Sequence, residues 1–194
     1  MIRPLAGLLL WLLWLPAAWA AQEEGDGLPL SLIAHLADTE YLEGNFEQVR
    51  HVAVLAVPLR SSGTFRYQRV EGITWRTTAP LAGEVRVTPR DGVVAVDEAG
   101  NIRPIPATET VAGIFLGIFS GDTERLAAYF ALAPEPRSDG WSLRLTPLLP
   151  GMASQIDSIL VEGGDHVDHV DIREANGDRS ELTLRVTARR EAGR

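Results

Sequence analysis

Short stretches in which apolar and polar residues alternate recur along most of the chain, and this period of two limits the fold more than any other feature. In GTFRYQ, Phe65 and Tyr67 fall on one side and polar residues on the other. GITWRTT and GEVRVTP repeat the pattern. Glycine-containing turn sequences separate the segments; they lie at 61–63, 71–72, 82–83 and 91–92. The alternation predicts an antiparallel meander with one apolar face.

The middle of the sequence changes to a helical period. Apolar residues recur there at intervals of three and four, which predicts a helix over residues 110–119; they are Val111, Ile114, Phe115, Ile118 and Phe119. Asp122 is suited to cap a short second helix, and YFALAP is expected to return to strand. An earlier helix is predicted from Pro29 to about Thr39, since proline is tolerated in a first helical turn.

The last third of the chain returns to strand patterns, in WSLRLTP, SQIDSILVEG, HVDHVDIREA and SELTLRVTARR. Asn176-Gly177 is a strong signal for a two-residue hairpin between the last two of these. The sequence therefore predicts a mostly β, α+β domain. It consists of one long, curled antiparallel sheet with a few helices inserted, and no internal repeat indicates a second domain.

The first twenty residues have the features of a secretory signal peptide. Arg3 is followed by an apolar run to Leu15 and by the small-residue triplet ending at Ala20. A membrane anchor is the alternative, but the apolar run is shorter than the roughly 20 residues that span a bilayer. We therefore expect cleavage after Ala20 and a single domain over residues 21–194. No cysteine is available for a lipid anchor or a disulfide.

The charge of the chain excludes several partners and chemistries. The formal net charge is −8, and it becomes −9 when Arg3 leaves with the signal peptide. Such a protein is a poor ligand for nucleic acid, because phosphate neutralisation provides most of the affinity for duplexes. All 18 basic residues are arginine, so no lysine can form a Schiff base or act as a general base.

No catalytic constellation stands out in the sequence. There is no cysteine nucleophile and no G-x-S-x-G or S-x-x-K motif. The stretch DHVDHVD, Asp165–Asp171, contains metal-ligand residue types. On a regular strand, however, His166 and His169 point to opposite faces, and Asp165, Val167, His169 and Asp171 would share one side. We interpret this stretch as a solvated acidic strand face, and expect neither metal nor cofactor.

The apolar faces of the strands and of the central helix admit two interpretations. They can form an ordinary core in which sheet and helix fill the space between them. Alternatively, a curled sheet can leave a cavity that a ligand occupies. Residue chemistry alone favours the ordinary core but does not exclude a ligand cavity.

The order of motifs from residue 46 onward resembles the LolA family of periplasmic lipoprotein carriers, and especially its diverged, LolA-related group. The resemblance rests on F-x-Q at Phe46 and Gln48, a glycine at Gly63, and the strand motifs that follow; these contain Phe65, Tyr67, Arg69, Ile73, Trp75 and Pro80. GIFLGIFSGDTERLAAYFAL resembles the central lid helices of the family. WSLRLTP and the Asn-Gly hairpin resemble its later strands.

The resemblance implies an unclosed antiparallel β-barrel with a lid of short helices and an apolar cavity that holds acyl chains. By position, Arg69 matches the arginine that bonds the backbone of the lid helix and keeps it closed. Ile73 matches a residue at the cavity entry. Together with the apolar faces, this predicts a set of acyl-contact residues, namely Phe46, Phe65, Tyr67, Ile73, Trp75, Val85, Val87, Ile114, Phe115 and Ile118.

The function that the resemblance implies is a non-enzymatic carrier, expected to be a monomer in the periplasm of a Gram-negative cell. It would take acylated lipoproteins from an inner-membrane exporter and deliver them to an outer-membrane acceptor. A close variant would carry another lipid or the acylated product of a pathway. An interaction module that senses lipid is an alternative from another class. A hydrolase is a third, for which the sequence offers no nucleophile–base pair.

Overall fold

The computed structural model describes residues 33–97, 99–105 and 109–193. The predicted signal peptide, and most of the helix predicted to begin at Pro29, lie outside these residues. What is described of that helix is a short 3-10 helix, Ala34–Asp38, after which the first strand begins at Thr39.

Eleven strands form the described structure. In chain order they are β1 Thr39–His51, β2 Leu59–Gln68, β3 Gly72–Ala79, β4 Gly83–Thr88, β5 Gly92–Val96, β6 Ile102–Pro104, β7 Phe130–Pro134, β8 Trp141–Pro147, β9 Ile156–Gly163, β10 Val167–Glu174 and β11 Arg179–Glu191. The α-helices are α1 Glu109–Ser120, α2 Thr123–Ala127 and α3 Pro150–Ala153. The longest described helix, α1, has 12 residues, and none of the described helices is a candidate membrane span.

All eleven strands belong to one antiparallel sheet in the order β6-β5-β4-β3-β2-β1-β11-β10-β9-β8-β7. The first and last strands of the chain pair along most of their length, from Thr39 opposite Glu191 to His51 opposite Arg179. This pairing joins an N-terminal half, β1–β6, to a C-terminal half, β7–β11. The edge strands β6 and β7 are not paired with each other, so the sheet is an unclosed barrel, as expected.

Helix α1 covers the apolar inner face of the curled sheet. It packs against β4 and β5 of one half, while α2, which follows directly, packs against β7 of the other. Side chains on more than one side of α1 are buried; they include Ile114, Leu116, Ile118 and Phe119. A helix that is apolar on several sides is typical of a buried position, and α1 lies between the two edges of the sheet.

Most predicted elements are confirmed. Helix α1 extends one residue beyond the predicted range at each end, and the carboxylate of Asp122 accepts a hydrogen bond of 3.0 Å from the backbone N–H of Arg125 as the cap of α2. Gly177 adopts a positive φ of 90° in the predicted hairpin. The turn predicted at residues 61–63 is wrong, because these residues lie inside β2 and the chain turns earlier, over residues 52–58.

Gly63 explains why a glycine stands in the middle of a strand. A Cβ atom at this position would lie 2.0 Å from the carbonyl oxygen of Arg76 on β3 and 2.9 Å from the ring of Phe46 on β1. The strand register also shifts between Ser62 and Gly63. The close approach of β3 and of the Phe46 ring therefore requires a residue without a side chain.

We expect Gly63→Ala to lower the free energy of unfolding by about 2 kcal/mol, since neighbouring backbone must move to admit the methyl group. Gly83→Ala is the matched control, because a Cβ there meets nothing within 4 Å; its effect should stay within about 0.5 kcal/mol. Urea unfolding of both variants checks the prediction. Equal stabilities would contradict this account of Gly63.

Candidate functional site

An apolar cavity of about 280 Å³ lies between α1 and the inner face of the sheet. Fourteen of its sixteen lining residues are apolar, and none of the sixteen is titratable. The apolar ones are Ile73, Trp75, Val85, Val87, Val93, Ile114, Phe115, Ile118, Phe119, Ile156, Ile159, Val170, Ile172 and Leu182, and the polar ones are Gln48 and Ser180. The cavity can therefore accept a hydrocarbon group, but its wall offers no acid or base.

Seven of the ten predicted acyl-contact residues line this cavity. They are Ile73, Trp75, Val85, Val87, Ile114, Phe115 and Ile118. The strand residues among them come from β3 and β4, where Ile73 pairs with Val87 and Trp75 with Val85. The helix residues come from the side of α1 that faces these strands. Contact of any of them with an acyl chain stays a prediction.

Phe46, Phe65 and Tyr67 do not line the cavity but lie in the core beside it, each no more than 2% exposed. Their rings contact aromatic rings of the cavity wall. The ring centroids of Phe46 and Trp75 are 4.1 Å apart, and Phe119 lies 5.8 Å from Phe65 and 6.1 Å from Tyr67. These three residues thus hold two wall residues in place.

Burial affects the one titratable member of this aromatic cluster. Desolvation raises the pKa of the Tyr67 hydroxyl, although Arg69 and a hydrogen bond with Ser120 at the end of α1 oppose the shift. The hydroxyl therefore remains protonated throughout the neutral range, as expected of a packing residue.

The cavity wall contributed by β9, β10 and β11 was missed at the sequence level. The alternating pattern of these strands marks the apolar positions, but it does not say which of them face α1. Part of the difficulty is a β-bulge in β10, where Val167 pairs with Gly163 and His169 with the adjacent Glu162. The bulge places Val167, Val170 and Ile172 in one apolar layer.

The same bulge overturns the expectation that Asp165, Val167, His169 and Asp171 share a solvated face. Val167 is buried in the core, and Asp171 is only 5% exposed. The Asp171 carboxylate accepts two hydrogen bonds from the guanidinium of Arg179, at 2.8 and 3.1 Å. Among the described residues, no group of three or more potential ligands is arranged to hold a metal ion.

Arg69 contacts the 3-10 helix rather than the lid helix. Its guanidinium donates hydrogen bonds to the carbonyl oxygens of Ala37 and, at 2.7 Å, Thr39. Within the described part of the chain it donates none to α1. The position matched by the resemblance therefore does bond helix backbone, but the helix is a different one from that expected.

A short path of contacts connects Arg69 to the lid. Gly121 ends α1 with a φ of +63°, and a Cβ at this position would lie 2.6 Å from Leu36 and 2.9 Å from the carbonyl oxygen of Ile33. The end of α1 thus packs tightly against the 3-10 helix that Arg69 holds. Arg69 can influence the lid through this contact.

Comparison with known proteins agrees with this geometry. The sequence profile of the family described as outer membrane lipoprotein carrier protein LolA-like matches residues 30–194. The chain belongs to this family. No curated protein sequence matches the chain.

Several solved structures are similar to the chain at low sequence identity. A LolA superfamily protein from Nitrosomonas europaea has 11% identity and a TM-score of 0.46, covering 81% of this chain and 91% of its own. The MucA/MucB complex from Pseudomonas aeruginosa has 12% identity and a TM-score of 0.45, and the match covers 82% of this chain and 56% of the other. A DUF1329 family protein from Desulfovibrio piger has 12% identity and a TM-score of 0.43, and the match covers 83% of this chain and 92% of the other. At these values the likenesses carry no functional argument.

We expect Arg69→Leu to keep the sheet intact but to loosen the 3-10 helix and the end of α1, because two carbonyl oxygens lose a charged donor. Hydrogen exchange should accelerate at residues 34–38 and 117–121. Arg66→Leu, at an exposed position of β2 three residues earlier, is the control and should leave these amides unchanged. Equal exchange in the two variants would show that the Arg69 contacts do not hold this region.

Proposed function

We propose that this LolA-like protein is a periplasmic carrier that binds the acyl chains of lipoproteins in the cavity beneath α1. The observation that carries the proposal is the cavity itself, apolar on almost its whole wall and covered by a single helix. The absence of titratable lining residues supports binding over catalysis. Family membership supports a lipoprotein or lipid as the cargo.

The size of the cavity sets a condition on the mechanism. About 280 Å³ lies just below the range of about 300–1,000 Å³ that is usual for ligand pockets. A cavity of this size has room for only part of an acyl chain. Burial of hydrocarbon contributes about 0.8 kcal/mol per CH₂ group, so each further methylene favours displacement of α1 away from β4 and β5.

The Arg69 contacts give the carrier a closed state to which it can return. When cargo leaves, α1 repacks on the sheet and against the 3-10 helix, so the empty protein does not expose its apolar wall. Closure of the lid then offsets part of the free energy that release of the cargo to an acceptor costs. In this scheme Arg69 acts through the 3-10 helix and does not touch the cargo.

The route that we propose follows from the N-terminal sequence and from the family. Export and cleavage near Ala20 would place the carrier in the periplasm. An inner-membrane exporter would supply the acylated cargo and an outer-membrane acceptor would receive it. Because the described cavity wall recognises only hydrocarbon, another lipid or an acylated pathway product fits the same wall, and this variant is tested together with the main proposal.

The first test identifies cargo directly. The protein is exported through its own signal sequence, purified without detergent, and examined by native mass spectrometry followed by lipid extraction. We expect a bound acylated molecule in the unmodified protein and its loss in Ile172→Trp, which fills the cavity. Arg173→Trp, the next residue on β10 but exposed, is the control and should retain the cargo.

A protein that is empty in every preparation and takes up no acylated peptide or phospholipid would contradict the carrier function. A phospholipid without any acylated protein, after co-expression with lipoproteins, would favour the lipid-carrying variant.

The second test follows occupancy in solution. With residues 1–20 removed, Trp75 and Trp141 are the remaining tryptophans, and Trp141 donates its indole N–H to Gly164 at 2.8 Å, away from the cavity wall. In a Trp141→Phe background we expect acyl ligands to shift Trp75 emission to the blue, because hydrocarbon replaces water near the ring. Emission that does not respond to acyl chains of any length would exclude them from this wall.

A further inference from the structure

The two ends of the sheet differ sharply in polarity. Because the sheet is antiparallel throughout, five strand connections lie at one end, which we call the apolar rim; their described residues are 52–58, 80–82, 97, 99–101, 148–155 and 175–178. The connections at the other end, which we call the charged rim, include residues 69–71, 89–91, 135–140 and 164–166. The backbone N–H of Ala175 donates to the carbonyl of Gln155 at 2.9 Å, so two apolar-rim connections are in direct contact.

Exposed apolar side chains are concentrated at the apolar rim. Ten large apolar residues are exposed among those that the structure describes, and only Val70 and Ile105 lie at the charged rim. The other eight are Val54, Leu55, Val57, Leu59, Leu81, Ile102, Leu148 and Leu149. Val54 and Leu81 are 89% and 79% exposed, on connections that belong to different strand pairs. Such a concentration marks an interaction surface.

The charges follow the opposite distribution. Residues 52–58, 80–82 and 148–155 contain no charged residue, whereas each of the four charged-rim connections contains at least two titratable side chains. Several charges close to the apolar rim are paired, whereas Arg60, the second residue of β2, is exposed. Arg50 bonds Glu174 at 2.9 Å and Asp178 at 3.3 Å, and Arg103 lies 3.4 Å from Asp97. The apolar rim therefore offers little to a charged partner.

The apolar connection of residues 52–58 is held in place by the fold. The carboxylate of Asp178 accepts a hydrogen bond of 2.9 Å from the backbone N–H of Ala53, and the N–H of Leu55 donates to the carbonyl of Val52 at 2.9 Å. Val54 and Val57 thus project from an anchored loop. Their exposure therefore results from the fixed conformation of this loop.

The cavity extends between the two rims: Ile73 and Val93 of its lining lie near the charged rim, and on the C-terminal half of the sheet the lining reaches the apolar rim. Its lining includes Ile156, the first residue of β9, and Ser180, the second residue of β11. Ile172, two residues before the end of β10, lies between them in the sheet. A chain that leaves the cavity in this direction emerges among the exposed apolar side chains.

We propose that the apolar rim docks on the surface of a zwitterionic phospholipid bilayer, with its loop residues among the acyl chains and the cavity opening toward the membrane. Shallow burial of apolar side chains is how peripheral proteins bind such surfaces. An anionic bilayer would repel the chain, whose formal net charge of −8 becomes −9 without residues 1–20 and whose three most apolar connections lack a cation. This docking requires only the rim and does not depend on which cargo fills the cavity.

A protein partner fits these observations less well. The centres of protein–protein interfaces are enriched in aromatic residues and arginine, whereas the exposed residues here are all aliphatic. They also lie on separate strand connections from both halves of the sheet, so they form several small protrusions and not one continuous surface. Such protrusions can enter a fluid bilayer together without a matching surface.

The test measures binding to vesicles of pure phosphatidylcholine by flotation. Exported protein is used, and its mass is checked for loss of residues 1–20. We expect the unmodified protein to float with the vesicles, and the triple variant Val54→Ser, Val57→Ser, Leu81→Ser to bind roughly tenfold more weakly or less, because apolar area buried in the bilayer sets the affinity. Val70→Ser is the matched control, with an 85% exposed valine at the charged rim, and should bind as the unmodified protein does.

Three results would overturn the proposal. They are equal flotation of the triple variant and the unmodified protein, no flotation of the unmodified protein, and binding only to anionic vesicles with loss at high salt. Sedimentation velocity is run in parallel: self-association that the triple variant abolishes, without vesicle binding, would assign the rim to a second copy of the chain. Thermal unfolding confirms that the variants fold.

Acyl binding by Trp75 fluorescence separates this proposal from the carrier function. The triple variant should bind a short, water-soluble acyl ligand like the unmodified protein, since none of its changed residues lines the cavity. Vesicle binding without acyl binding in the unmodified protein would refute the carrier and leave the docking surface. Acyl binding without vesicle binding would do the reverse.

Discussion

The inner face of the sheet is the constraint on which the rest of this structure depends. Eleven antiparallel strands curl far enough to gather their apolar side chains, but β6 and β7 do not pair, so the sheet cannot close on itself. The exposed inner face must be removed from water, and α1 does this by lying between the two halves. A single helix covers the face without filling it, and the apolar cavity is the space that remains.

The strength of the cover suits reversible opening. A charged hydrogen bond contributes about 1.5–3 kcal/mol, and the Arg69 contacts lie at the protein surface, so their effect is toward the lower end. Burial of a hydrocarbon chain at about 0.8 kcal/mol per CH₂ offsets such a clasp within a few methylenes. The Arg69 hydrogen bonds, which favour the closed state, and the burial of hydrocarbon, which favours the loaded state, are therefore of similar size. Both states can be populated.

The outer face of the sheet is built on different interactions. Partial burial by itself would raise the pKa of Glu84, but hydrogen bonds from Arg76 and Arg86 outweigh this and lower it. The pair Arg179 and Asp171 occupies the equivalent outer face of the C-terminal half. Paired charges keep the outer surface hydrated, and most of the exposed aliphatic side chains among the described residues lie at one end of the sheet. The protein thus has a dry interior, a charged wall and one aliphatic rim, beside the cavity.

Much of the architecture was written locally in the sequence. Alternation marked most strands, the three- and four-residue spacing marked α1, and Asp122 and Asn176-Gly177 fixed a cap and a hairpin, because these signals depend only on neighbouring residues. The motif order also indicated the family. The wall of the cavity was predicted for β3, β4 and α1, where apolar pairs and the helical stripe were evident.

Tertiary structure alone decided the remainder. The bulge in β10 placed Val167 on the inner face, away from Asp171, Gly63 proved to be a point of close approach inside a strand, and Arg69 bonded the 3-10 helix. The far wall of the cavity and the grouping of exposed aliphatic residues at one rim arise from strand order, which brings together connections more than a hundred residues apart. A sequence specifies which side chains avoid water locally. Only the complete set of strand pairings determines which of these side chains meet and which stay exposed to solvent.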